Sequence, residues 1–83
     1  MFYVYILYSE KCDRYYIGYS ENPERRLEER HNKGAVKATR NCYPYELKGK
    51  KSFDSELLAR QEEFRLKGMK SRKYLEYLLQ GNW

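Results

Sequence analysis

The sequence predicts an α+β fold, a three-stranded antiparallel sheet flanked by helices in the order β-β-α-β-α-α. Two aromatic and aliphatic runs, at 2–8 and 15–19, are joined by a short polar segment, which is typical of a β-hairpin. A polar helical pattern follows, and after a third strand at 46–53 come two capped helical patterns. A chain of 83 residues has little room for a second core, so we expect a single domain over residues 1–83.

The hairpin has two chemically different faces. Side chains alternate along a strand, so Val4 and Ile6 point to one face and Tyr5 points to the other. In the second strand Ile17 takes one face and Tyr16 the other. If Ile17 packs with Val4 and Ile6, the two tyrosines share the opposite face.

Gly18 follows on the face of the two tyrosines. Because glycine has no side chain, we expect Gly18 to let the backbone of a ligand approach these phenols closely. The alternative is that the tyrosines serve only the fold, since aromatic residues are favoured in strands.

The first helix is predicted from Pro23 to Asn32, with Asn22 as its N-cap. Its only strongly apolar residue is Leu27, which buries little area. Arg26 and Arg30 lie four positions apart and therefore on one face. This face indicates a polar function; the alternative is a solvated face of mixed charges.

A basic segment covers residues 30–51 and has one acid, Glu46, among seven basic residues. Tyr43 and Tyr45 lie between them. Such a mixture suits a phosphate backbone with bases that stack, whereas the alternative is a solvated basic loop. The basic residues are Arg30, Lys33, Lys37, Arg40, Lys48, Lys50 and Lys51.

The third strand is predicted within residues 46–53. We expect Leu47 and Phe53 to share an inward face, with Gly49 between them. Its lysines indicate an edge strand, where charge prevents aggregation.

Two helices complete the chain. Asp54 or Ser55 is the predicted N-cap of the second helix, which ends at Lys67 with Gly68 as its stop, and Ser71 caps the third. The second helix takes its apolar content from Leu57, Leu58, Ala59, Phe64 and Leu66. The third has an apolar stripe of Tyr74, Leu75, Leu78 and Leu79 and ends at Gly81.

The composition limits the partners and the compartment. A net charge of +5 indicates an anionic partner such as nucleic acid or anionic lipid. Cys12 and Cys42 form no zinc motif, and we expect reduced thiols in a cytoplasmic protein. The alternative is a single disulfide between them. No apolar run approaches the ~20 residues that cross a bilayer, so we expect no membrane association.

Several ordered motifs resemble the GIY-YIG nuclease domain, and most closely its small, single-domain bacterial members. They read Tyr-Val-Tyr-Ile-Leu at 3–7, Tyr-Ile-Gly at 16–18 and Glu-Arg-Arg-Leu at 24–27. The similarity continues through His31-Asn32, Thr39, residues 44–47 and residues 67–74. It covers nearly the whole chain.

This resemblance implies a metal-dependent phosphodiesterase that acts on DNA. It places Tyr5 beside the attacking water, as a base or a relay, with Tyr16 next to it. Gly18 matches the motif glycine. Arg26, eight residues after that glycine, matches the arginine that contacts the scissile phosphate.

Two positions leave alternatives in the resemblance. The family histidine falls at Arg30, whereas the chain has its histidine at His31, so either the helix holds an extra residue or the arginine replaces the histidine. The metal-binding glutamate matches Glu63, with Glu62 as the alternative register. Without the resemblance, Glu63 would be interpreted as a surface partner of Lys67.

The resulting hypothesis is a monomeric DNA endonuclease that uses Mg²⁺ or Mn²⁺, with no obligate protein partner. We expect it to be selective for DNA structure, or else weakly specific, and to act in DNA repair or recombination. Lys70 and Arg72 join the basic segment as expected nucleic-acid contacts. The alternative is a nucleic-acid-binding module of the same fold with weak or no catalysis.

Overall fold

The computed structural model describes residues 1–83 and has the α+β architecture and element order expected from the sequence. A 3₁₀ turn, His31–Lys33, follows α1, and a π-helical turn, Leu78–Asn82, follows α3. The strand order β2-β1-β3 places β1 at the centre of an antiparallel sheet. The strands are β1 (Phe2–Ser9), β2 (Arg14–Ser20) and β3 (Glu46–Phe53), and the helices are α1 (Pro23–Glu29), α2 (Glu56–Met69) and α3 (Arg72–Tyr77).

The central strand β1 is covered on both faces. On one face Val4 and Ile6 pack with Ile17 in a first core formed with α2 and α3. On the other face Tyr5 and Leu7 belong to a second core. The two faces predicted for the hairpin are therefore confirmed. The first core comprises Val4, Ile6, Ile17, Ala59, Leu66, Leu75 and Leu78, and the second comprises Tyr5, Leu7, Cys42 and Tyr45.

Strand β3 is an edge strand with the predicted limits, but its side chains do not alternate as expected. Ile6 pairs with Gly49 and Leu7 pairs with Leu47, so one extra residue of β3 lies between these pairs. This bulge reverses the alternation. Leu47 packs on the second core and Phe53 on the first, and the prediction that they share one face is wrong.

Helix α1 begins as predicted and ends earlier. The Asn22 side chain accepts a hydrogen bond from the Arg25 amide, which confirms the N-cap. The helix stops at Glu29, because Arg30 has φ −121° and ψ −61°. The predicted end at Asn32 is wrong, and the chain turns before His31.

Helix α2 begins at its Ser55 cap and ends later than predicted. The side chain of Ser55 accepts a hydrogen bond from the Leu58 amide. The helix passes Gly68 and continues to Met69, and the chain reverses at Lys70, where φ is +49°. Because Ser71 caps α3 directly afterwards, the reversal takes place at Lys70 rather than at the glycine.

The apolar residues of α2 are mostly exposed. Ala59 and Leu66, seven positions apart, are buried, whereas Phe64 is 80% exposed. Leu57 and Phe64 each precede a buried residue by two positions. Two positions correspond to a rotation of about 200° around a helix, so both side chains point away from the buried stripe. Together with the exposed Leu58, they lie outside the narrow stripe that the sheet covers.

Helix α3 and the following turn carry the predicted apolar stripe. Leu75 and Leu78 are buried in the first core, and Tyr74 and Leu79 pack against it. Gly81, with φ +96°, lies in the turn that ends the chain.

A disulfide joins Cys12 to Cys42, so the expectation of two reduced thiols is wrong. Ser9 holds the two segments together, because its hydroxyl donates to the Cys42 carbonyl at 2.6 Å and accepts from the Cys12 amide at 3.1 Å. The long loop after α1 is thereby fastened to the β1–β2 turn. No helix combines the length and apolarity required to cross a bilayer.

Candidate active site

Tyr5 is the central residue of the site and is only 1% exposed. It pairs with Gly18 across the sheet. A Cβ atom at Gly18 would lie 2.5 Å from the Tyr5 hydroxyl oxygen. The space beside Gly18 is therefore filled by the tyrosine of the same chain, and the expectation that a ligand backbone enters there is wrong.

His31 contacts both tyrosines of the hairpin and is fully buried. Its Nε2 atom lies 2.8 Å from the Tyr5 hydroxyl, and its ring centroid lies 5.1 Å from that of Tyr16. Arg30 is exposed. The break at Arg30 brings His31, and not Arg30, to Tyr5, which favours the histidine over the arginine for this position of the site.

Thr39 fixes the orientation of the His31 ring. Its Oγ1 atom lies 2.9 Å from Nδ1 of His31, and its hydroxyl donates to the Val36 carbonyl at 3.4 Å. The hydroxyl proton is thus used, and Oγ1 accepts a hydrogen bond from Nδ1–H. Nε2 then carries no proton and accepts from the Tyr5 hydroxyl.

Burial sets the protonation states of this pair. Burial raises the pKa of Tyr5 to about 12, with a further contribution from Tyr16. Burial lowers the pKa of His31 to about 4, and the charges of Arg26 and Arg30 act in the same direction. Near neutral pH the pair is a phenol and a neutral imidazole, which matches a hydrogen bond donated by Tyr5.

Arg26 brings a positive charge to the Tyr5–His31 pair from α1. Its charge lowers the pKa of both residues. Its Nε atom is buried and has no hydrogen-bond partner in the protein. Unsatisfied buried donors are rare and cost free energy, and an anionic oxygen would satisfy this one.

Of the two candidate glutamates, Glu63 acts electrostatically on Tyr5 and Glu62 does not. The Glu63 charge contributes to the raised pKa of Tyr5. Its carboxylate lies 3.2 Å from the Lys67 ammonium, which in turn lies 5.6 Å from the ring centroid of Tyr16. Sequence reasoning gave Lys67 no role in the site, although its spacing from Glu63 indicated the ion pair.

Glu62 is occupied elsewhere. It accepts two hydrogen bonds from Arg65, at 2.7 and 2.8 Å, and one from the Trp83 indole at 2.9 Å. Between the two registers, the geometry favours Glu63 as the carboxylate of the site.

The residues fit one kind of metal site. No group of three or more His, Cys, Asp or Glu side chains is arranged to hold a metal ion. Both ring nitrogens of His31 are already hydrogen-bonded. Mg²⁺ keeps several waters and is often bound by one or two carboxylates together with substrate phosphates. Glu63 fits such a site, and a zinc-type cage does not fit.

Asn32 holds the loop that carries Thr39, a function that the sequence did not indicate. Its side chain donates to the Tyr45 carbonyl at 3.0 Å and accepts from the Tyr45 amide at 2.6 Å. Asn32 and Thr39 both lie in segments that resemble the family, which was the available signal.

The basic residues predicted to contact nucleic acid divide into two groups. Lys48 pairs with Glu46, Lys50 pairs with Glu24, and Arg72 pairs with Asp13 and Glu76. The others are exposed and make no salt bridge within the chain. They are Arg30, Lys33, Lys37, Arg40, Lys51 and Lys70.

Comparison with known families is in line with this geometry. The family model of the GIY-YIG catalytic domain matches residues 1–75 of the 83-residue chain. The searches of curated proteins and of solved structures gave no match.

Proposed function

The chain belongs to the GIY-YIG catalytic-domain family, a family of nucleases, and from this premise we propose that it is a metal-dependent DNA endonuclease. The observation that carries the proposal is the buried hydrogen bond between Tyr5 and His31, together with Arg26, whose charge acts on both residues and whose Nε atom has no partner. A carboxylate, Glu63, lies on α2, and its charge acts on Tyr5. This set combines a proton relay, an anion-binding group and a metal ligand.

Arg26 is the proposed binding group for the scissile phosphate. A guanidinium offers several N–H donors in a fixed plane and suits phosphate oxygens. The buried Nε–H of Arg26 has no acceptor within the protein, so a phosphate oxygen that reaches it on binding would add a hydrogen bond without breaking one. Charge that develops on the phosphate during attack would strengthen this contact.

Tyr5 and His31 are the proposed proton relay. As the attacking water gives a proton to the Tyr5 oxygen, the hydroxyl proton of Tyr5 passes to Nε2 of His31, and Thr39 continues to accept from Nδ1–H. The negative charge of a bound phosphate would offset the field of Arg26 and raise the pKa of His31 above its value of about 4. Substrate binding therefore makes His31 a better proton acceptor.

Glu63 would hold the Mg²⁺ or Mn²⁺ ion, which supplies positive charge to the phosphate oxygens and lowers the pKa of a bound water. Lys67 now pairs with the Glu63 carboxylate. It would have to release that carboxylate, at least in part, when a metal binds. Lys67 would then remain near the Tyr16 ring.

The finer parts of the function are proposals as well. We assign the protein to branched or otherwise structured DNA in repair or recombination, as a monomer. The Cys12–Cys42 disulfide counts against the cytoplasm, because cytosolic thiols are usually kept reduced.

The second candidate function is a nucleic-acid-binding module without catalysis. The ion pair between Glu63 and Lys67 favours it, since the carboxylate needed for a metal already has a partner. Under this function the exposed basic residues matter for binding, whereas Tyr5 and Glu63 do not.

The test is cleavage of plasmid, branched and single-stranded DNA with Mg²⁺, with Mn²⁺ and with EDTA. Glu63→Gln removes the proposed metal ligand, and Glu62→Gln is its matched control one residue away. We expect Arg26→Ala to slow cleavage about 100-fold or more, the usual cost of losing one group that stabilises a transition state. Equal activity of the two glutamate variants would refute the metal assignment, and binding of DNA without any cleavage would establish the binding module.

A further inference from the structure

A basic cavity of about 420 Å³ lies beside the candidate active site, between the start of β2 and the junction of α2 with α3. Tyr16 and Lys67 line this cavity and also belong to the active site. The basic side chains of the cavity are Arg14, Lys67, Lys70 and Arg72.

Positive charge dominates the cavity, since Asp13 is the one acidic residue among those that line it. Arg72 is held by Asp13 at 2.7 Å and by Glu76 at 3.3 Å, and its guanidinium lies 5.3 Å from the ring centroid of Tyr15. Arg72 therefore forms a fixed wall of the cavity. Its charge is largely compensated by these carboxylates.

Arg14 and Lys70 differ from Arg72 because neither forms a salt bridge within the protein. Both are exposed at the cavity, one at the start of β2 and the other at the reversal between α2 and α3. Two unpaired cations converge here from parts of the chain more than fifty residues apart. Their convergence favours an anion as the ligand.

Two of the three lysines of β3 provide a contrast, whereas Lys51 is uncompensated like Arg14 and Lys70. Lys48 and Lys50 are compensated by Glu46 and Glu24, at 2.9 and 2.7 Å. A nucleic-acid strand that leaves the active site thus meets more uncompensated charge at the basic cavity than at these lysines.

We infer that the basic cavity binds a phosphodiester group of the cleaved DNA strand, adjacent to the scissile one. Arg14 and Lys70 are the side chains that bind this group. This inference rests on the proposed function for its substrate. The shared residues Tyr16 and Lys67 make the two phosphate sites neighbours. The cavity then fixes the path of the strand across the site.

Binding of a short fluorescent DNA oligonucleotide, measured by anisotropy over a range of salt concentrations in EDTA, tests the inference without requiring cleavage. The double variant Arg14→Gln/Lys70→Gln removes both ligands. The control, Lys11→Gln/Arg60→Gln, removes the same charge from exposed residues outside the cavity. We expect the slope of log K against log salt concentration to fall by about 1 in the cavity variant, as for one lost phosphate contact, and to stay unchanged in the control.

A scan with single neutral methylphosphonate groups locates the contact. One position beside the scissile phosphate should weaken binding to the unsubstituted protein and leave binding to the cavity variant unaffected. Equal slopes in the cavity variant and the unsubstituted protein, equal losses in the two double variants, or absence of DNA binding would each overturn the inference. If the cavity variant shows the expected loss of salt dependence but the protein cuts no DNA, the endonuclease proposal fails and the phosphate-binding site is still supported.

Discussion

The hydroxyl of Tyr5 lies 2.8 Å from Nε2 of His31, although the two residues are 26 positions apart. Both side chains are at most 1% exposed, so the hydrogen bond is shielded from bulk solvent. The proton lies on Tyr5, because burial raises the pKa of the phenol to about 12 and lowers the pKa of the imidazole to about 4. The pair is thus a preformed donor and acceptor whose protonation responds to a nearby anion.

We expect Thr39→Val to destabilise the protein and to impair cleavage. The valine leaves Nδ1–H of His31 buried without an acceptor, which costs about 1–3 kcal/mol. It also allows the other tautomer, in which Nε2 carries the proton and cannot accept from Tyr5. Thermal unfolding and cleavage rates give the two effects, and Thr39→Ser should preserve both; normal activity of the valine variant would contradict the role of Thr39.

The stability should depend on pH through His31. Its pKa is about 4 in the folded protein, against 6.5 for an unperturbed histidine, so the unfolded chain binds the extra proton between these two pH values. The contribution of His31 to the free energy of unfolding is therefore fully present above about pH 6.5. It decreases by about 3 kcal/mol as the pH falls toward 4.

Urea unfolding at several pH values measures this dependence. The variant His31→Gln has no titrating imidazole at this position and should lose that part of the slope, while all carboxylates remain as in the unsubstituted protein. Identical slopes in the two proteins would show that His31 is not buried in its neutral form.

Gly18→Ala should be more harmful than an added methyl group usually is. The new Cβ would lie 2.5 Å from the Tyr5 hydroxyl and 2.6 Å from the adjoining ring carbon, so the ring has to leave the position in which it is hydrogen-bonded to His31. We expect a loss of about 1–3 kcal/mol together with reduced cleavage.

Gly68→Ala is the matched control, because Gly68 lies within α2 and no atom lies within 4 Å of its added Cβ. That change should increase stability by up to about 1 kcal/mol. Thermal unfolding of both variants measures these changes in stability. A neutral result for Gly18→Ala would mean that the Tyr5 side chain can adopt another position without loss of stability.

Reduction of the disulfide should lower the free energy of unfolding by about 3–4 kcal/mol, the loop-closure value for cysteines 30 positions apart. Thermal unfolding with and without a phosphine reductant measures this difference. The double variant Cys12→Ser/Cys42→Ser should resemble the reduced protein and be insensitive to the reductant. A reductant effect that persists in the double variant would have a different origin.

Local patterns predicted much of the fold. The cap at Asn22, the limits of β3 and the two faces of the hairpin all follow from residues within a few positions of each other, and all are confirmed. The family motifs likewise indicated Tyr5, and they left Arg30 and His31 as alternatives for the histidine.

The departures come from contacts between distant segments. The bulge in β3 depends on pairing with β1, and it alone separates Leu47 from Phe53. The exposure of Phe64 depends on how narrow a stripe of α2 the sheet covers. Neither constraint is present in the local sequence, because each belongs to the partner element.

The site shows the same division. By itself the sequence determined which chemical groups are available, namely phenols, an imidazole, a guanidinium and carboxylates, and which of them share a strand face. Only the tertiary structure decided that the break at Arg30 turns His31 toward Tyr5, that Thr39 selects its tautomer and that Glu62 is occupied by Arg65 and Trp83. Hydrogen bonds and pKa values depend on distances of a few ångströms and on burial, and these arise only when elements far apart in the chain pack together.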